Sequence, residues 1–135
     1  MPSTDSKKIK IIIADDHPLF RRGLKHAIEE TSDIEVIGES SNGEDLLSLI
    51  RDSKSDIILL DIAMPGKSGL DLLKQLKNEH PKLPILILSV YPEEQYAIRF
   101  LKAGASGYLT KESVAEKLAE AIRKIAGGGK YASTA

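Results

Sequence analysis

Five side chains suited to handling a phosphoryl group stand just past apolar runs. Asp61 closes Ile57-Ile58-Leu59-Leu60, and Asp15-Asp16 close Ile9–Ala14. Ser89 closes Ile85–Leu88, and Lys111 comes just after the short run 106–109. Each has an ordinary structural use. A lone strand-end aspartate is usually solvated, Asp16 can cap a helix beginning at Pro18, Ser89 can form a turn, and Lys111 can be an exposed strand-end lysine. Gathered at one edge, they become three carboxylates, a hydroxyl and an ammonium. Such carboxylates repel one another, so without a cation at least one is partly protonated, whereas a divalent metal removes the conflict. Hard oxygen ligands suit Mg²⁺, which keeps several waters and uses one or two protein carboxylates plus a phosphate oxygen. No His or Cys set suggests zinc. An aspartate can also serve as a nucleophile and form an acyl phosphate, a transfer that needs a metal and a cation over the phosphoryl oxygens.

The elements that must bring these groups together are legible in the hydrophobic pattern. Ile9–Ala14 is β-branched and reads as a buried strand, followed by a helix from Pro18 with Phe20, Leu24, Ala27 and Ile28 at helical spacing. Ile34, Val36 and Ile37 form a second strand, residues 40–43 a turn, and Leu46, Leu47, Leu49 and Ile50 one side of a second helix. The Asp61 strand is third. Met64-Pro65-Gly66 and Ser68-Gly69 supply turn chemistry, and the helix from Gly69 ends before Pro81. Ile85–Leu88 is a fourth strand, and the helix 93–103 ends at Gly104. A fifth strand over 106–109 precedes a last amphipathic helix through Val114, Leu118, Ala121, Ile122 and Ile125, stopped by Gly127-Gly128-Gly129.

Strands alternating with helices predict an α/β, doubly wound, flavodoxin-like (βα)5 sandwich around a five-stranded parallel sheet. Periodicity does not give strand order. Among the common orders, 2-1-3-4-5 sets strands one and three side by side and brings Asp15, Asp16 and Asp61 together. Tyr108 alternates with Leu109 on the last strand. It is either plain packing or, if a phosphoryl group draws the Ser89 hydroxyl inward, a ring that turns into space beneath the loop from Val90 to Pro92.

Composition bounds the rest. A chain of 135 residues, 41% hydrophobic and 29% charged with net charge −1, suits one domain that buries about two thirds of its unfolded surface. It has no cysteine, no signal-peptide core and no membrane-length apolar run, so a cytoplasmic location without membrane contact is expected. Basic residues are dispersed, so direct DNA contact by this domain is not expected. Met1 to Lys8 reads as a flexible tail, residues 9–128 as the domain, and 129–135 as the start of an interdomain linker.

The phrases ADDHPLFRRGL, DIAMPGKSGLDLL, LSVYPEEQYAIRFLKAGASGYLTK and AGGGKYA resemble the receiver domain of a two-component response regulator. The resemblance runs from about Lys8 to about Gly128, and these phrases are similar to the subfamily whose receivers precede a LuxR-type helix-turn-helix, the NarL/FixJ group. It implies that Asp61 accepts a phosphoryl group from a sensor histidine kinase. Asp16 and Asp61 then ligate Mg²⁺ with the Ala63 backbone carbonyl, and Asp15 helps through water. Ser89 is the switch hydroxyl, Tyr108 the rotating aromatic and Lys111 the phosphate-pairing cation. Further implications are a phosphorylation-dependent homodimer, a changed surface at helix four, strand five and helix five, and DNA binding only through an effector domain absent from this chain. The domain would catalyse only its own phosphoryl transfer and dephosphorylation.

The chain departs from the family pattern at Glu112, where proline is frequent; a cis Lys111-Glu112 bond then costs about 2.5–4 kcal/mol. Ala63 and Tyr91 are variable in the family and flank the approach of an attacking water. The chain is read as an excised receiver rather than a natural single domain. Arg21, Arg22 and Lys25 on helix one, and Glu116, Glu120 and Arg123 on the last helix, offer dimer surfaces or solvated faces. The competing class is a phosphorylation-independent interaction module with no Mg²⁺ dependence. A phosphatase lacks room for a cap, and a nucleotide binder lacks a glycine-rich loop after strand one.

Overall fold

In the computed structural model, residues 8–64, 66, 68–91 and 94–132 are described. They form β1 (Ile9–Ala14), α1 (Pro18–Glu29), β2 (Ile34–Ser40), α2 (Gly43–Asp52), β3 (Ile57–Asp61) and α3 (Gly69–Glu79). β4 (Ile85–Ser89), α4 (Glu94–Lys102), β5 (Gly107–Thr110), α5 (Val114–Ala126) and β6 (Tyr131–Ala132) follow. The sheet is parallel with order β2-β1-β3-β4-β5-β6. The expected 2-1-3-4-5 order is therefore present, with a two-residue sixth strand added where a loose end was expected. The N-terminal tail before Lys8, Pro65, Pro92 and Glu93, the expected first residue of helix four, lie outside the described residues.

β3 and β4 carry uninterrupted apolar runs, Ile57–Leu60 and Ile85–Leu88, because both sheet faces are covered, and the alternation of the strands divides the core in two. Ile12, Ile58, Leu60, Ile85, Ile87 and Tyr108 pack on the side of α2, α3 and α4. Ile11, Ile13, Ile57, Leu59, Leu86, Leu88 and Leu109 pack with Leu24, Ile28, Leu118, Ile122 and Ile125 of α1 and α5. Side-chain acceptors begin two helices: Asn42 accepts from Asp45 N and Ser68 from Asp71 N. Pro18 opens α1, and Gly104, at φ 113°, follows α4 as the expected glycine stop. Two local readings change. β2 runs on to Ser40 past a register shift between Ile11 and Ile12, and Lys111–Ser113 form a single 3-10 turn before α5. No cis peptide occurs among the described residues, so Lys111-Glu112 is trans.

Charged residues on the outer helices mostly answer to their own neighbours. Arg21 Nε and Lys25 Nζ each lie 3.0 Å from Glu39, across α1 and β2. Arg123 donates to both oxygens of Asp33 at 2.8 and 2.9 Å, tying α5 to the turn before β2. Three of the six residues named as dimer-surface candidates are thus engaged in local ion pairs.

Gly69 is required by a close approach. A Cβ there would lie 2.6 Å from Ile62 Cβ and 2.7 Å from Ile62 Cα, in the loop leaving Asp61. Gly69→Ala is expected to lower the unfolding free energy by about 1–3 kcal/mol in urea denaturation. Gly23, exposed within α1, provides the contrast, since a Cβ added there would meet nothing within 4 Å. Gly23→Ala should stabilise by about 0.5–1 kcal/mol.

Candidate functional site

Adjacent pairing of β1 with β3 sets Ala14 opposite Leu60, so the residues that follow, Asp15 and Asp61, emerge side by side. Asp15 and Asp61 are 0% and 1% exposed, and Asp16 stands outside them at 27%. Strand alternation points Asp15, Asp61 and Lys111 to the same face of the sheet, the α1/α5 side. Lys111 Nζ reaches Asp15 Oδ2 at 3.0 Å and Asp61 Oδ2 at 3.2 Å. The Phe20 ring lies 4.3 Å from the same ammonium, which holds it against α1 by a cation–π contact. All five sequence-predicted strand-end groups are at one edge, but Ser89 faces the other way.

The same turn recurs at these strand ends. Asp15 Oδ1 accepts from His17 N at 2.7 Å, Asp61 Oδ1 from Ala63 N at 3.0 Å, and Ser89 Oγ from Tyr91 N at 2.9 Å. Each side chain thus bonds the backbone two residues on and turns the chain away from the sheet. Asp16 does not cap α1, whose N-cap His17 makes no side-chain cap bond. Ser89 and Tyr108 meet through a shared neighbour. Ser89 holds the amide of Tyr91, while the Tyr108 hydroxyl donates to the Tyr91 carbonyl at 2.6 Å. The Tyr108 ring is 0% exposed and lies beside Phe100, so it is already turned inward. Tyr91 itself stacks on Tyr96 with ring centroids 5.1 Å apart.

Sequence reasoning missed His17. Its Nδ1 lies 3.2 Å from Asp15 Oδ1, 3.3 Å from Asp16 Oδ1 and 3.6 Å from Asp61 Oδ2, with the ring 57% exposed. The sequence offers no His or Cys set, yet this one histidine joins the acids: parallel strand ends place His17 back over the carboxylates because Asp15 captures its amide. The signal was its position immediately after Asp15-Asp16.

The donor set fits a hard divalent cation. Asp15 Oδ2 and Asp16 Oδ1 are buried oxygens with no hydrogen-bond partner, and Asp15 Oδ2 has only its ion pair with Lys111. One ligand atom each from Asp15, Asp16, His17 and Asp61 falls within 4.8 Å of the others. Buried acceptors that lack donors are costly, and a cation satisfies them.

Residues 11–123 match the response regulator receiver domain. The chain belongs to that family. The transcriptional regulatory protein DegU of Brevibacillus brevis is 39% identical over 127 residues, covering 94% of this chain and 54% of that protein. The nitrate/nitrite response regulator homolog of Haemophilus influenzae is 40% identical over 121 residues, covering 90% and 58%. This receiver chain thus spans between half and two thirds of the length of these curated relatives. Among solved structures, the signal receiver domain of NarL from Mycobacterium tuberculosis superposes with a TM-score of 0.83 at 31% identity, covering 90% of this chain and 98% of that one. The non-phosphorylated receiver domain of RcsB from Escherichia coli gives 0.88 at 25% identity, covering 93% and 98%. These relatives support the NarL/FixJ type. Receiver domains are regulatory modules, and no described helix is long and apolar enough to cross a membrane.

Burial holds the Asp61 carboxyl above the ordinary carboxylate range; the Ala63 amide opposes this, the Asp15 charge adds to it, and Lys111 opposes it. The folded receiver therefore binds this proton more tightly than the unfolded chain, and ionisation weakens folding. The penalty is absent below the unfolded value of about 3.9 and complete once pH exceeds the raised folded value. Asp61→Asn is expected to stabilise the metal-free receiver by about 1 kcal/mol near neutral pH. That gain should fade on acidification toward the unfolded carboxyl value, measured as urea midpoints across pH.

Proposed function

We propose that this receiver is a phosphorylation-activated switch in which Asp61 takes a phosphoryl group from the phosphohistidine of a sensor kinase. The carrying observation is the buried Asp61 carboxylate with Lys111 Nζ 3.2 Å from Oδ2, beside two further acids, one of which, Asp15, shares the same ammonium at 3.0 Å. Asp61 Oδ1 is engaged by the Ala63 amide, which leaves Oδ2 as the nucleophile. Oδ2 bonds to phosphorus as the phosphorus–nitrogen bond of the donor breaks, and the donor imidazole leaves with that electron pair. Lys111 moves from pairing with a carboxylate to pairing with phosphoryl oxygens on the same carboxyl, a short displacement for a flexible side chain. His17 and Lys111 stand over Oδ2 as side chains, so an incoming donor clears them by rotamer changes rather than by moving backbone.

Asp16 and Asp61 with the Ala63 carbonyl would hold Mg²⁺, and Asp15 would act through water. When bound, Mg²⁺ neutralises the charge that accumulates on the phosphoryl oxygens. The signal then leaves through Ser89. Drawn toward the phosphoryl group, its hydroxyl gives up the Tyr91 amide, and Tyr91 stays linked to Tyr108 through its carbonyl. The surface of α4, β5 and α5 repacks accordingly. This changes affinity for partners, including a second copy of the receiver and a DNA-binding effector domain. Residues 9–128 are the receiver unit in this reading, and 129–135 begin the linker. The setting is cytoplasmic, and the domain promotes only its own phosphoryl transfer and dephosphorylation, with Ala63 and Tyr91 flanking the water's approach.

Incubation with acetyl phosphate and Mg²⁺ should add one phosphoryl group by intact mass, with none on Asp61→Asn and none in excess EDTA. Equal labelling of Asp61→Asn refutes the reading. Absence of any Mg²⁺ response in wild-type spectra at Asp61, Ser89 and Tyr108 supports an interaction module instead. Ser89→Ala should retain the added mass yet lose most of the chemical-shift change at Tyr91 and Tyr108.

A further inference from the structure

We propose that His17 makes the acidic pocket a four-donor site for a borderline divalent cation of the Co²⁺, Ni²⁺ and Zn²⁺ class. The cation is held by His17 Nδ1 together with carboxylate oxygens of Asp15, Asp16 and Asp61. The inference rests on the reading of this pocket as a divalent-cation site, and it adds a ligand that changes which cation is preferred.

His17 Nδ1 already stands at ligand-to-ligand distances from the three carboxylates. Donors about 2.1 Å from a shared cation, at tetrahedral or octahedral angles, sit about 3.0–3.4 Å apart. His17 Nδ1 lies 3.2, 3.3 and 3.6 Å from one oxygen of each of the three aspartates. The imidazole forms the outer wall, 57% exposed, over carboxylates that are 0%, 27% and 1% exposed. Its backbone N–H donates a hydrogen bond to Asp15 Oδ1 at 2.7 Å, so returning the ring to this position after metal entry costs little ordering. The fully buried Asp15 pairs through Oδ2 with Lys111 Nζ at 3.0 Å, and Asp16 Oδ1, which makes no hydrogen bond, lies 3.3 Å from His17 Nδ1.

Ligand chemistry then decides the preference. Imidazole contributes little to Mg²⁺, which favours oxygen and retains its waters, but suits Co²⁺, Ni²⁺ and Zn²⁺. Removing His17 therefore acts on the selectivity of the pocket rather than on cation binding as such. A cation engaged by Nδ1 also pins the ring 3.6 Å from Asp61 Oδ2, across the approach of a phosphoryl donor. A borderline metal at this site competes with Mg²⁺ and holds the receiver unphosphorylated.

The test titrates the 135-residue chain with Co²⁺, followed by visible absorption and by paramagnetic shifts of histidine ring protons, with Mg²⁺ as competitor. Co²⁺ should bind at least about tenfold more tightly than Mg²⁺, and His17→Ala and His17→Gln should lower that ratio by about tenfold or more. The strongly shifted ring signals should belong to His17. His26, which pairs with Glu30 on the exposed face of α1, and His80 provide the comparison, and His26→Ala should leave the ratio unchanged. An unchanged ratio in His17→Ala, or an equal loss in His26→Ala, overturns the assignment. If Mg²⁺-dependent labelling of Asp61 persists in that case, only the His17 inference fails; if neither cation binds, the divalent-site reading fails with it.

Discussion

The structure depends on one ammonium placed between two buried carboxylates. Asp15 and Asp61 emerge together because β1 and β3 are neighbours, and neither can escape to water. Lys111 answers both at about one hydrogen-bond length, backed by the ring of Phe20. Even so, three ionised acids and one lysine leave two negative charges in the cluster. Buried ion pairs of this kind stabilise weakly once desolvation is counted. The arrangement is better understood as a site kept short of positive charge, which suits a divalent cation.

Strand alternation separates this charge from its readout. Along β5, Leu109 and then Lys111 belong to the α1/α5 side, whereas Tyr108 belongs with α4. Along β4, Ser89 falls on the Tyr108 side of the sheet's end. A shift of either strand by one residue would exchange these faces and leave the acids opposite a hydroxyl instead of an ammonium. Register here is fixed by two-sided burial of the Ile and Leu runs, so the core protects the chemistry without touching it.

Much of this was legible in the sequence for that reason. Ile57–Leu60 and Ile85–Leu88 admit few readings besides buried strands, and their first polar successors must appear at one edge. The order of the strands needed an argument from topology, because hydrophobic period carries no information about neighbours. β6 was not legible: Tyr131-Ala132 is too short to show a pattern and pairs only because Gly107 presents no Cβ to the Tyr131 carbonyl, 2.6 Å from where that carbon would lie. His17 escaped because its role follows from an Asx turn, a local backbone event that places a ring two residues back over its own acid. Tyr108 was singled out as a residue of interest, but its inward setting and its bond to Tyr91 depend on a loop conformation that composition does not encode.

Tyr91 links the end of β4 to α4. Its peptide flanks are held from two sides, the amide by Ser89 and the carbonyl by Tyr108, while its ring stacks on Tyr96 of α4. Each of these hydrogen bonds contributes only about 1 kcal/mol net, and the ring pair a comparable amount. Charge-assisted bonds to a phosphoryl group are roughly twice as strong as neutral ones. A hydroxyl offered that alternative can therefore leave the Tyr91 amide at modest cost. The path from Ser89 at the end of β4 to α4 thus runs through Tyr91 and Tyr96 rather than through the strands beneath.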